Sequence, residues 1–289
     1  MTKTEIKQKL FILLQYVVPQ HAVSRIAGLL TDSPIPWLKS VLINKAIKTF
    51  NVNMAEAAEP DPEKYVTFNA FFTRALADGV RPIDADENSV VSPADGQISE
   101  MGCIKQGQLL QAKGKSFSLN QLLGGDSELT EAFTDGSFMT VYLSPKDYHR
   151  VHMPWGGTLK SMTYVPGALF SVNQTTAEQV DGLFARNERV ICSFDTDKGP
   201  MVVILVGAMI VGSIETVWAG QVSPPKRQLT TVNYRQPQEP PAFDKGDEMG
   251  RFKMGSTAII LFAKDAVEWD SELSASSELN MGQKVGRVN

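Results

Sequence analysis

Gly250-Arg251-Phe252-Lys253-Met254-Gly255-Ser256-Thr257 runs directly into Ala258-Ile259-Ile260-Leu261-Phe262-Ala263. The second half is a short apolar run rich in β-branched and aromatic residues, which reads as a buried strand, so a Gly-Ser-Thr turn stands at the mouth of a core strand. A glycine before a serine removes the Cβ that would shield its carbonyl, and it tolerates backbone conformations that other residues refuse. That suits attack by the Ser256 hydroxyl on its own upstream peptide bond. A hairpin glycine followed by two small residues would look the same, so the reading depends on partners elsewhere in the chain.

Upstream of this strand, further short strand signals are punctuated by Gly and Pro: Val90 to Ile98, Phe138 to Leu143 and Gly157 to Val165. Residues 201 to 214 are the most apolar stretch, broken by Gly207 and Gly212, and read as two buried strands. Residues 222 to 243 hold five prolines among polar residues and read as an extended, mobile excursion. The polar tail from Ser271 onward reads as frayed. Before Arg81 the pattern is helical. Apolar residues Ile6, Leu10, Leu13, Leu14, Val17 and Val18 recur at helical spacing until Pro19, and helices follow from about His21 to Leu30 and from Pro36 to Phe50. Thr67 caps a short aromatic helix, Phe68 to Arg74. The expected class is α+β: a β-rich core of short antiparallel strands, barrel- or sandwich-like, behind an amphipathic helical amino-terminal region. The expected division is 1–80 and 81–289.

At 289 residues the chain can bury a sizeable core, and 43% hydrophobic with 21% charged residues is ordinary globular composition. Two cysteines, Cys103 and Cys192, are too few for a disulfide framework and read as buried thiols in a reducing compartment. Residues 1–50 carry seven Lys or Arg against Glu5 and Asp32, a net of +5, which leaves −9 on the rest of a chain whose total is −4. A basic, amphipathic start with Trp37 beside Lys39, Lys45 and Lys48 suits an anionic bilayer surface, or else a helical hairpin packed on its own domain. No apolar run approaches the ~18 residues that span a membrane, and no basic stripe suits nucleic acid.

The chain has three histidines, and two lie in Leu143-Ser144-Pro145-Lys146-Asp147-Tyr148-His149-Arg150-Val151-His152-Met153-Pro154. Histidine moves protons near neutral pH, so His149, His152 and the neighbouring Asp147 are candidate site residues; a hydrogen-bonded turn without chemistry is the plainer reading. A His-x-x-His pair also suggests a metal, but no further His and no ligand-spaced Cys complete a site. Asp95, in Pro93-Ala94-Asp95-Gly96, reads as a turn Asp or as the acid that orients a histidine.

Together with Phe170-Ser171-Val172-Asn173, Leu183 to Arg189 and Gly212 to Trp218, these segments resemble the phosphatidylserine decarboxylases, a pyruvoyl-dependent, self-processing family of bacteria and mitochondria. The resemblance runs from about residue 60 to 264, with Met254 where many bacterial members have Leu. It implies that His152, oriented by Asp95, deprotonates Ser256, which attacks the Gly255 carbonyl. The chain would then split into a β chain (1–255) and a 34-residue α chain (256–289) that stay together as a heterodimer. Ser256 would become the pyruvoyl cofactor, the Schiff-base partner of phosphatidylserine. By the same resemblance His149 serves decarboxylation, Asp147 supports self-cleavage, and the enzyme works at the cytoplasmic face of the cell membrane as a peripheral protein. A higher oligomer is left open.

Two other classes use the same residues. A Ser/His/Asp lipid hydrolase needs a Gly-x-Ser-x-Gly elbow, and Lys253-Met254-Gly255-Ser256-Thr257 is not one. A non-catalytic membrane-docking β scaffold would leave both histidines structural.

Overall fold

A computed structural model of the chain describes residues 2–209, 213–223, 228–235, 239–253 and 256–289. Three helices open it: α1 (Lys3–Val17), α2 (Gln20–Thr31) and α3 (Pro36–Phe50). Thr2 and Glu5 form a capping box at the start of α1, and the chain leaves the helix just before Pro19, which cannot continue it. The short helix α4 (Phe68–Phe72) starts where Thr67 accepts from the Ala70 amide at 3.0 Å. Its rings Phe68, Phe71 and Phe72 pack with Ile43 and Ala46 of α3 in a small core of their own.

The large sheet runs, edge to edge, through Thr230–Asn233, Gly157–Val165, Arg189–Thr196, Gly199–Val206, Ser256–Phe262, Ser137–Leu143, Gly96–Cys103 and Glu278–Leu279. Its paired neighbours are antiparallel. The Ser256–Phe262 strand lies in the middle, with Ile259 opposite Ile204 on one side and Thr140 on the other. Its side chains alternate between two cores: Ala258, Ile260 and Phe262 enter one, Ile259 and Leu261 the other. Because both faces of the sheet are covered, this strand reads as an unbroken apolar run rather than an alternating one. The first core lies between the large sheet and two smaller ones. One of these contains Ser213–Thr216, Glu248–Lys253 and Arg150–His152, and the other Ser89–Val91, Lys284–Val288 and Val267–Trp269.

Three expectations change. The proline-rich excursion is partly built into the fold: Thr230–Asn233 pairs with Ser161–Tyr164, and Ala242–Phe243 with Gly157–Thr158. The tail is not frayed, because Lys284–Val288 is paired on both edges and turns Val285 and Val288 inward. Cys103, at the end of an edge-side strand, is exposed; only Cys192 is a buried thiol, and burial raises its pKa.

Candidate active site

Two of the connections between the smaller sheet and the large one run side by side. One crossing joins Glu248–Lys253 to Ser256–Phe262; Met254 and Gly255, hence the expected scissile bond, lie outside the described residues. The other joins Leu143 to Arg150. Register locks the two together: Ser256 pairs with Leu143, Arg251 with Arg150, and the Phe252 amide donates to the His149 carbonyl at 3.0 Å. The histidine-bearing segment therefore runs beside the segment that carries Ser256.

His149 is fully buried, its ring 4.0 Å from that of Phe72. Its Nδ1–H donates to the Asp147 carbonyl at 2.8 Å, which leaves the lone pair on Nε2, and Nε2 has no partner among the described residues. Burial drives its pKa down to about 3, with the Arg74 guanidinium acting the same way and the Asp147 carbonyl opposing. It is therefore a neutral imidazole with a free basic nitrogen. The Asp147 carboxylate accepts the Ser144 amide at 2.7 Å; burial raises its pKa while the bonds from Ser144 hold it back.

His152 is also buried but fully engaged. Its Nδ1–H donates to the Gly246 carbonyl at 2.8 Å and its Nε2 accepts from the Tyr148 hydroxyl at 3.0 Å. Burial lowers its pKa, and raises that of Tyr148 to about 12. It pairs with Glu248, four residues before Phe252 and so roughly 13 Å further along the strand at ~3.3 Å per residue.

The expected Asp95–His152 link is not made. The segments are neighbours, with the His152 amide donating to the Pro93 carbonyl at 2.8 Å. The Asp95 carboxylate instead takes Arg81 in a fork, Nε to Oδ1 at 2.9 Å and Nη2 to Oδ2 at 2.7 Å, and the Met281 amide at 2.8 Å. Arg81 also reaches Glu56 at 2.8 Å. A planar guanidinium outcompetes a neutral imidazole for a carboxylate because it offers two charge-assisted bonds at once. Gly96 follows because a Cβ there would collide with the Tyr142 carbonyl. Sequence reading missed Arg74 and Arg81. Arg74, just past the Thr73 cap of the aromatic helix, was within its reach, being a basic residue closing an otherwise apolar face.

Two cavities meet at Tyr142. One, of about 310 Å³, is polar and lined by Arg81, Asp95, Ser144, Lys146 and Asp147. The other, of about 210 Å³, is mainly apolar and lined by Phe50, Phe68, Phe72, Leu143 and Pro145. A larger cavity, about 1020 Å³, opens at Trp155 and Phe243 and contains none of the candidate residues.

Fold and site together define a β-core protein in which a buried neutral histidine flanks a serine-bearing crossing between two sheets. The family model for phosphatidylserine decarboxylase matches residues 68–287, and a second model, described as PSD, matches residues 10–51. The chain is 56% identical to a phosphatidylserine decarboxylase proenzyme of Pseudomonas fluorescens strain Pf-5, covering 97% of this chain and 98% of that one. It is 57% identical to the proenzyme of Ectopseudomonas mendocina, covering 98% and 99%. The chain is an enzyme of the phosphatidylserine decarboxylase family.

Proposed function

We propose that this chain converts phosphatidylserine to phosphatidylethanolamine, using a pyruvoyl group formed from Ser256 by self-cleavage after Gly255, as a peripheral protein at the cytoplasmic face of the cell membrane. The observation that carries the reading is the pairing of the two crossings, which sets His149, with its free Nε2, beside the segment of Ser256. The surroundings fit such a group: Thr257 Oγ1, next to the Ser256–Leu143 pair, is also buried without a partner among the described residues. A pyruvoyl group supplies an electrophilic carbonyl that captures the substrate amine and takes up electrons as CO₂ leaves.

The chain's own groups do the rest. His149 takes up at Nε2 a proton that the substrate ammonium gives up and returns it to the reacting carbon, a task for a buried imidazole that is neutral at rest. The polar cavity suits a charged headgroup, with Lys146 and Arg81 at its wall, and the apolar cavity beside it suits the glycerol end of a lipid. His152 is the proposed base for self-cleavage, its ring aimed by Gly246 and Tyr148, so the proton of Ser256 reaches it by way of the Tyr148 hydroxyl or after that hydroxyl turns aside. Asp95 contributes through Arg81 and the Met281 amide, and Asp147 by bracing the 144–149 turn. A second reading, in which His149 is also the base for cleavage, is favoured by the register that puts His149 and not His152 against Phe252.

The histidine variants separate these readings. His152→Ala should remain an uncut chain without decarboxylase activity. His149→Ala should be cut and yet lose turnover by on the order of 10²- to 10⁴-fold, as for a lost general acid. An uncut His149→Ala beside a normally cut His152→Ala would establish the second reading; wild-type turnover in both would refute either.

A further inference from the structure

Residues 167–171 form an extended strap between the Gly157–Val165 strand and the Gln174–Gln179 helix. Its backbone is satisfied along both edges, by different means. On one edge the even residues meet the 186–188 segment: the Ala168 amide donates to Arg186 O and the Glu188 amide to Ala168 O, both at 2.8 Å. The Asn187 side chain takes the Phe170 amide at 3.1 Å and gives to its carbonyl at 2.8 Å. On the other edge the odd residues meet no strand among the described residues. The Ser171 amide donates to Gln15 Oε1 at 2.8 Å, the Leu169 amide to Gln20 Oε1 at 2.7 Å, and the Gly167 carbonyl accepts from His21 Nε2 at 3.0 Å.

The two glutamines brace one another and the strap. Gln20 Nε2 donates to the Gln15 carbonyl at 2.8 Å, and Gln15 Nε2 to Thr176 Oγ1 at 3.4 Å. Gln15 is 2% exposed, on a helix whose Leu13 and Val17 are 60% and 72% exposed. A buried amide in such a helix is costly unless every polar end is satisfied, and here the oxygen is spent on the strap and the nitrogen on Thr176 of the helix that follows it. Arg186 closes the junction, stacking over Phe170 at 5.0 Å and Tyr16 at 5.6 Å. The strap then delivers Ser171 and Val172 to the apolar cavity, where they face Leu143 and Phe72.

We infer that α1 and α2 stand in for the missing neighbour of this strap, and that Gln15 and Gln20 are positioning residues that set one wall of the substrate cavity. That the cavity holds substrate rests on the function proposed above; that the helices hold the strap does not. The amino-terminal helices are then part of the site as well as a surface for lipid. Loss of their acceptors strands two amide donors and frees the wall, with no change at His149, His152 or Ser256.

The test uses the full-length, mature protein. Gln15→Met with Gln20→Met keeps side-chain length but offers no acceptor to the strap, whereas Gln15→Glu with Gln20→Glu keeps an oxygen at each place. Amide exchange at Leu169 and Ser171 should speed up on the order of tenfold or more in the Met pair and less in the Glu pair, which keeps both acceptors but gives up the bond from Gln20 Nε2 to the Gln15 carbonyl. On dihexanoyl phosphatidylserine below its micelle concentration, kcat/KM of the Met pair should fall about tenfold or more, with vesicle binding and chain cleavage as in wild type, and the Glu pair should recover most of it. Unchanged exchange overturns the inference, and so does faster exchange with unchanged kcat/KM, which would make the glutamines merely structural. If the Met pair fails to fold, Gln20→Met alone carries the same comparison at Leu169. A wild-type enzyme without turnover on phosphatidylserine would sink the proposed function instead, and the exchange data would still decide whether the helices hold the strap.

Discussion

His149 combines two things that seldom coincide, complete burial and a nitrogen with no partner among the described residues, in a place between Phe72 and the Asp147 carbonyl. Its folded pKa of about 3 lies below the ordinary 6.5, so the unfolded chain binds the extra proton between those values. The stability it confers is whole above about pH 6.5 and drains away as the pH falls toward 3. At pH 5 the loss is about 2 kcal/mol relative to pH 7. In denaturant titrations, His149→Gln should therefore lose less stability between pH 7 and pH 5 than wild type; identical acid limbs would mean that His149 is not held neutral. The histidines and Asp147 were legible because two of three histidines share one short segment. The environment that sets their chemistry was not. Arg81 lies 14 residues before Asp95 with no periodicity linking them, and only the folded chain shows that Asp95 answers to Arg81 and Met281.

At the scale of elements, the helices and the apolar strands were written plainly in the sequence, because amphipathic spacing, Pro19, Pro36 and the Thr67 cap are local signals. The tail was not. In Lys284-Val285-Gly286-Arg287-Val288 the alternation is five residues long and diluted by Lys, Gly and Arg, and its strand character comes from partners on both edges, one of them some 200 residues earlier. Helix α3 shows the same limit in its charges. Trp37, Val41 and Lys45 form one exposed stripe with Lys48 a turn further on, whereas Lys39 turns back to the carbonyls of Glu63 and Tyr65. Lys45→Glu with Lys48→Glu should weaken binding to anionic vesicles at least tenfold at low salt, at ~1 kcal/mol per basic residue, and the difference should shrink as salt screens it. Binding that is indifferent to both lysines, or equal on neutral vesicles, would remove α3 from the docking surface.

For the whole molecule, the order of strands decides what the proposed self-cleavage can do. The segment after Gly255 begins in the middle of the large sheet, between Ser137–Leu143 and Gly199–Val206, and ends with Lys284–Val288 between two other strands. Ile259, Ile260 and Leu261 are fully buried, roughly 1.5–3 kcal/mol each, so a cut at its first residue leaves it held without a covalent bond. Removal of residues 1–50 would strip the strap of its acceptors, whatever else those residues do. All of this turns on one bond. The mass of the carboxy-terminal piece, taken from denatured wild-type protein, tests it most directly. The expected result is a 34-residue fragment beginning at position 256, blocked at its amino terminus and lighter than the seryl peptide by the mass of ammonia, with Ser256→Ala giving one uncut chain. An active wild-type protein that runs as a single intact chain, or a fragment with a free serine at its start, would contradict it.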